Sequence, residues 1–236
     1  MACGFEPRPA YQQLFLSGKF MNTNPQATSV LCYGDSNTFG VKPDRSGRFA
    51  ADVRWPGILQ ELLGPDYYVI EEGLGGRTTD LDHYNPSKPA RNGLAYFKAC
   101  LESHSPLDVV IIMLGTNDFK TVYGRSAAET AAALKQYVDL INETYGANPP
   151  RVVLVSPPYM DDAAPAFESS MPQPGIYDEG SVRKTHELAG HIQELSQRLN
   201  VEFLDAGPIT SVGDDGCHID ADSHKKLGLA LARLIN

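Results

Sequence analysis

The chain has 236 residues, enough for one α/β body, since such domains commonly reach about 200–250 residues. Its hydrophobic (42%) and charged (21%) fractions sit near globular averages, which excludes a largely disordered or fibrous chain. A formal charge of −9 and a pI near 5.1, with no dense basic run, argue against a nucleic-acid backbone or an anionic membrane surface as partner, because both need clustered Lys and Arg.

Residues 1–20 carry Glu6, Pro7 and Pro9, and the apolar stretch Leu14, Phe15, Leu16 is too short for the centre of a secretory signal. They read as a flexible or non-native extension, and 21–236 as a single domain. Cys3, Cys32, Cys100 and Cys217 lack CxxC or zinc-finger spacing. A reduced, cytoplasmic chain is therefore expected.

Five apolar, largely β-branched runs predict buried strands at 30–33, 67–70, 109–114, 152–155 and 201–204. Helical patterns lie between them. Residues 55–63 and 94–101 are apolar-periodic, and Ser126 with Glu129 forms a capping-box signature before Leu134, Val138 and Ile141, with Gly146 as the stop. Val182, Ala189, Ile192, Leu195 and Leu199 line a fourth helix, and Leu227, Leu231 and Leu234 a terminal one capped by Asp220 or Asp222. This alternation predicts an α/β fold: a three-layer αβα sandwich on a flavodoxin-like parallel five-stranded sheet of order 2-1-3-4-5. The crevice then lies at the carboxyl ends of strands 1 and 3. The segment 161–180, rich in Pro, Ser and Asp with Phe167, Met171, Ile176 and Tyr177, reads as a lid or interface loop.

Four segments at that sheet edge offer chemistry. Gly34, Asp35, Ser36 and Asn37 follow strand 1; the Ser36 hydroxyl is a candidate nucleophile if a base lies within reach, and otherwise a helix cap. The run from Glu71 to Thr79 holds Gly73, Gly75 and Gly76, whose backbone N–H groups can approach a ligand closely, although the loop has neither the Walker lysine nor GxGxxG spacing. Asn117, after strand 3, offers an amide to an oxyanion or serves as a turn residue. Asp215 stands three residues before His218, so its carboxylate can hold Nδ1–H and leave Nε2 to accept a proton.

These segments, with the 52–55 stretch Asp-Val-Arg-Trp, Arg77-Thr-Thr79 and Val155-Ser-Pro-Pro158, resemble the SGNH (GDSL-like) hydrolase superfamily, in particular its bacterial arylesterase and acyltransferase branch, along nearly all of 30–235. The resemblance implies Ser36 as nucleophile and Asp215 and His218 as the rest of a triad. It further implies an oxyanion hole of Ser36 N–H, Gly76 N–H (or Gly75) and Asn117 Nδ2, with no cofactor and no metal. The implied activity is hydrolysis of a small-molecule ester through an acyl-enzyme, with transfer to alcohols or peroxide as a variant. Closed homo-oligomers, with 161–180 as contact, are expected from the same branch. Many relatives have Leu where this chain has Asn37, which bears on substrate preference. Asn37, Phe39, Tyr159 and Cys217 are candidate pocket residues, with Trp55 either beside them or in the core.

Other readings stay open: a carbohydrate deacetylase or lysophospholipase on the same scaffold, or a non-catalytic flavodoxin-like binding module. Cys217 as nucleophile is disfavoured because it adjoins His218 on an extended turn. A metal site among Asp215, Cys217, His218, Asp220, Asp222 and His224 lacks recognisable ligand spacing. His83, His104, His186 and His191 read as solvated or capping histidines.

Overall fold

The computed structural model describes residues 22–169 and 176–236, and each of the five apolar runs forms a strand in it: β1 (Thr28–Gly34), β2 (Tyr67–Gly73), β3 (Val109–Met113), β4 (Arg151–Ser156) and β5 (Glu202–Asp205). All pairs are parallel and the order is β2-β1-β3-β4-β5, as the sequence predicts. The central β3 is buried along its whole length, which a parallel sheet covered on both faces requires.

Because successive strand residues point to opposite faces, the sheet feeds two cores. Leu31, Tyr33, Val110, Ile112 and Leu154 pack against α3 (Gly93–His104), α4 (Ala127–Tyr145) and α6 (Glu179–Leu199). Val30, Cys32, Ile111, Val153 and Val155 pack against α2 (Trp55–Leu63) and α7 (Ala221–Ile235). Each such fully buried aliphatic contributes about 1.5–3 kcal/mol relative to exposure. Trp55 is fully buried in the second core, so it does not line a substrate pocket.

The helix ends follow local chemistry. Ser126 Oγ accepts the Glu129 N–H at 3.2 Å and Glu129 reaches back, completing the capping box of α4, and Gly146 at φ 61 ends it. Asp220 caps α7 by accepting the Ser223 N–H at 2.7 Å.

Two features depart from the sequence reading. Strand β2 continues past its apolar run through Glu71 and Glu72, whose charged side chains find partners on the two faces of this edge strand: Glu71 pairs with Arg54 at 2.6 Å and Glu72 with His104 at 2.9 Å. Within 161–180 the chain forms a short helix, α5 (Ala163–Ser169), where Pro165 is tolerated because first-turn N–H groups have no intrahelical acceptor. Met171 and the 1–20 extension lie outside the described residues. Among the described residues no helix is long and apolar enough to cross a membrane.

Candidate active site

The sheet register sets Gly34 level with Gly73 on one side and Met113 on the other, so the turns after β1, β2 and β3 emerge together. Ser36 opens the four-residue helix α1 (Ser36–Phe39), capped by Asp35, whose Oδ1 accepts the Asn37 N–H at 2.9 Å. The turn needs glycine before it, since a Cβ on Gly34 would lie 2.0 Å from Thr38 Oγ1. Burial pushes the Asp35 carboxyl up, against the opposing Asn37 N–H and nearby positive charges.

After β2, Leu74 to Arg77 close a β-turn in which Gly76 takes φ +80, a conformation that favours glycine. The Gly76 N–H has no protein acceptor among the described residues. Two arginines fix this turn: Arg91 Nε donates to Gly75 O at 2.7 Å, and Arg77, buried over the Tyr33 ring, donates to Gly34 O at 2.9 Å. After β3, Asn117 sits on a 3₁₀ turn (Thr116–Phe119). Its Nδ2 leans toward Asp35 Oδ2 at 3.4 Å while its Oδ1 accepts the Tyr177 hydroxyl at 3.4 Å, so its amide is oriented from both ends. The adjacent Asp118 accepts the Thr79 N–H at 3.0 Å and ties the two turns together. Burial raises its carboxyl to about 7 against the Thr79 donors and Arg125.

The loop after β5 supplies the third element. His218 Nδ1 lies 2.6 Å from Asp215 Oδ2, and Asp215 Oδ1 accepts the N–H groups of Cys217 (3.0 Å) and His218 (2.8 Å). Burial opposes ionisation of Asp215, but the His218 interactions and these two amides outweigh it and hold the carboxyl below its usual range. An ionised carboxylate can only accept, so Nδ1 carries the proton of the pair, and in the neutral ring Nε2 is the acceptor. Nε2 has no partner among the described residues; catalytic hydrogen bonds often close only when substrate arrives.

Ser36, Gly75, Gly76, Asn117, Cys217 and His218 therefore line one cleft of about 500 Å³, with Asp215 behind His218. Three expected pocket residues do not line it. Asn37 is buried with its side chain turned inward: Nδ2 donates to Cys217 O at 3.2 Å and Oδ1 accepts the Ile219 N–H at 3.0 Å, bracketing His218. Phe39 lies under the Arg48 guanidinium at 4.0 Å. Tyr159 packs on His186 and donates to Asp205 at 2.8 Å. Aromatic character near a motif says nothing of the side to which a ring turns.

Ile176 and Tyr177, from the segment expected to form a lid or interface loop, line the cleft; so do Tyr84, Lys88, Lys120 and Val41, which escaped the sequence reading, and His83, whose Nδ1 accepts the Asn85 N–H at 3.0 Å as a capping group does. Arg45, at φ 59 in the loop after α1, donates through Nε to Asp215 Oδ2 at 2.7 Å and stacks on Phe167 at 5.3 Å. Arg45 and Asp215 are 170 residues apart, and no local signal joins them.

The acid-rich stretch around His218 is dispersed: His224 faces Trp55, Asp220 caps α7, and Asp222 pairs with Lys226 at 2.7 Å. Glu72, Cys100 and His104 do converge, with ligand atoms within 4.8 Å. Burial pushes the Cys100 thiol up to about 12, which opposes the thiolate that a metal requires, and none of the three lines the cleft.

A match to the GDSL-like Lipase/Acylhydrolase family spans residues 32–226. The chain belongs to that family. Among solved structures it is similar to the M. smegmatis aryl esterase (41% identity over 89% of this chain and 98% of that one, TM-score 0.78). A carbohydrate acetylesterase from Sinorhizobium meliloti is similar at 37% identity over 88% and 98% of the two chains, TM-score 0.79. An acetylxylan esterase of Xylanibacter ruminicola is 25% identical over 218 residues, 89% of this chain; the chain spans only 43% of that protein's length.

Proposed function

We propose that this chain is a serine ester hydrolase that cleaves short-chain aryl and alkyl esters through an acyl-enzyme. The observation that carries the reading is the 2.6 Å Asp215–His218 pair in the cleft that also holds Ser36 and two oxyanion donors. Ser36 Oγ attacks the carbonyl carbon while His218 Nε2 takes the hydroxyl proton. The developing oxyanion is met by Ser36 N–H, Gly76 N–H and Asn117 Nδ2, donors of a kind worth about 2.7–4 kcal/mol each in the transition state. Collapse breaks the bond to the alcohol oxygen, which receives the proton from His218. Water, activated in the same way, then releases the acid.

The acyl-enzyme accepts any suitably placed oxygen nucleophile, so transfer to alcohols or peroxide belongs to the same proposal. So does assembly of several copies, supported by the apolar content of 161–180, and a cytoplasmic setting, supported by the buried thiols of Cys32 and Cys100. A second reading, removal of acetyl groups from carbohydrate, is favoured by the similarity to the Sinorhizobium and Xylanibacter enzymes. It uses the same machinery on another alcohol.

An organophosphonate should label Ser36, read by peptide mass, and Ser36→Ala should lower p-nitrophenyl acetate turnover by about three orders of magnitude or more. Comparable turnover by the variant overturns the assignment.

A further inference from the structure

Asp215 Oδ2 accepts from two sides. His218 Nδ1 lies 2.6 Å from it and Arg45 Nε 2.7 Å. The Asp215 side chain is fully buried, whereas 35% of the Arg45 side chain stays exposed. The acyl-transfer steps use the histidine bond alone, so the arginine on the same oxygen is a feature that they leave without a role.

The loop that delivers Arg45 is ordered by its own backbone. Val41 and Arg48 pair antiparallel, the Lys42 N–H donates to Gly47 O at 2.9 Å, and the Arg45 N–H donates to Lys42 O at 2.9 Å, which makes 42–45 a β-turn inside a small hairpin. Asp44 Oδ1 accepts the Ser46 N–H at 2.9 Å and tightens it further. Arg45 takes φ 59 in this turn, a region that glycine or asparagine adopts readily and a long side chain seldom does. Its far end is fixed as well: Nε sits on Asp215, and the guanidinium stacks on the Phe167 ring of α5 at 5.3 Å. Backbone outliers held in this way cluster at active sites.

The charge on Asp215 stabilises the imidazolium that forms when His218 takes the Ser36 proton. A guanidinium on the same oxygen offsets part of that charge and is itself a like charge near the ring, and both effects disfavour the protonated ring. Arginine stays charged at every pH of interest, so this offset is constant. The other titratable groups around His218 come from several elements: Asp35 at the head of α1, His224 on α7, Cys217 beside it, and His83, Lys88 and Lys120 in the same cleft lining. All of them are common to the native chain and to variants at Arg45, so a difference between the two isolates the arginine.

We propose that Arg45 is a positioning residue of the triad: by holding Asp215 Oδ2 it fixes the carboxylate and lowers the pH at which His218 becomes the free base. The proposal rests on the ester-hydrolase reading and adds to it a fourth member, which keeps the base working in a more acidic medium.

The test is the pH dependence of kcat/KM for p-nitrophenyl acetate on the full chain, from about pH 5 to about pH 9 and corrected for hydroxide hydrolysis, because this quantity reports the titrating groups of the free enzyme. Arg45→Gln keeps a donor without the charge, Arg45→Lys keeps the charge, and Arg45→Gly removes both. In the Gln and Gly variants the midpoint of the rise should move up by about half a pH unit to one unit, the lower part of what a neighbouring charge does, since Arg45 is partly exposed. At a fixed pH below the native midpoint kcat/KM should then fall by about threefold to tenfold, with a smaller loss on the plateau at high pH. Arg45→Lys should stay near the native midpoint. Glycine adopts φ 59 without strain, so that variant keeps the test decisive if glutamine disturbs the loop. A midpoint unmoved in both Gln and Gly overturns the proposal: with a lowered plateau it leaves Arg45 a merely structural role, and with a raised KM it makes Arg45 a substrate contact. A Lys variant displaced as far as Gln overturns it equally. Absence of p-nitrophenyl acetate turnover in the unaltered enzyme sinks the hydrolase reading instead.

Discussion

Protonation of His224 should cost this fold stability in acid. Its ring is fully buried, with Phe49 edge-on at 5.2 Å, and its Nδ1 accepts the Trp55 N–H at 3.2 Å. That amide is one of the orphan donors at the start of α2, where the cap residue Arg54 makes no side-chain bond. Protonation removes the acceptor and places a charge in an apolar site. Burial chiefly, with the charges of Arg54 and His218 and against the pull of Asp220, lowers the pKa to about 4. The unfolded chain takes up this proton near the ordinary histidine value of about 6.5, the folded chain only near 4, so stability is complete above the first value and falls as pH drops toward the second. Linkage over that window gives a loss of about 2 kcal/mol between about pH 7 and about pH 4.5 from this residue alone. Urea unfolding at the two pH values, on the native chain and on His224→Asn, isolates it: the Asn amide oxygen still accepts the Trp55 N–H but does not titrate, and the surface carboxylates are common to both. The native chain should lose about 2 kcal/mol more than the variant on acidification. Parallel losses would refute the argument.

Asn37→Leu should remove the Asn37 hydrogen bond to Cys217 O and leave the Ile219 N–H without its buried acceptor. At about 1–3 kcal/mol for a buried donor left unpaired, the variant should unfold about 1–3 kcal/mol more easily, and kcat should fall with little change in KM as His218 loses its brackets; unchanged kcat and stability would contradict the role given to this residue. Light scattering behind size exclusion should return a multiple of the 25.7 kDa chain mass, and a monomer mass at micromolar concentration would exclude the proposed assembly.

The fold was legible because its strands are short, β-branched and separated by periodic helices, and because capping residues such as Ser126 and Asp220 mark helix starts with local chemistry. The site was legible wherever a motif reports on its own neighbourhood: Gly34 to Ser36, Gly75 with Gly76, Asn117, and Asp215 with His218 all follow strand ends that the topology brings to one edge. What sequence does not carry is contact between distant segments. Asn37 lies 180 residues from Cys217, yet their hydrogen bond decides that Asn37 buttresses the His218 loop instead of meeting substrate. Tyr177 orients Asn117 from 60 residues away. The helix Ala163–Ser169 was hidden by Pro165, a breaker in an interior and harmless in a first turn.

Composition misleads about the cleft for a related reason, one of length scale. A net charge of −9 describes what a polyanion meets across the whole surface. A small ester inside a cleft of about 500 Å³ samples a much smaller region. At physiological salt, charges beyond about 8 Å are largely screened in solvent, so such an ester is governed mainly by the side chains that line the cleft, among them Arg45, Lys88 and Lys120. The acidic surface and the basic side chains of the cleft lining are thus compatible, because a small ester and a polyanion sample the charge of this protein on different length scales.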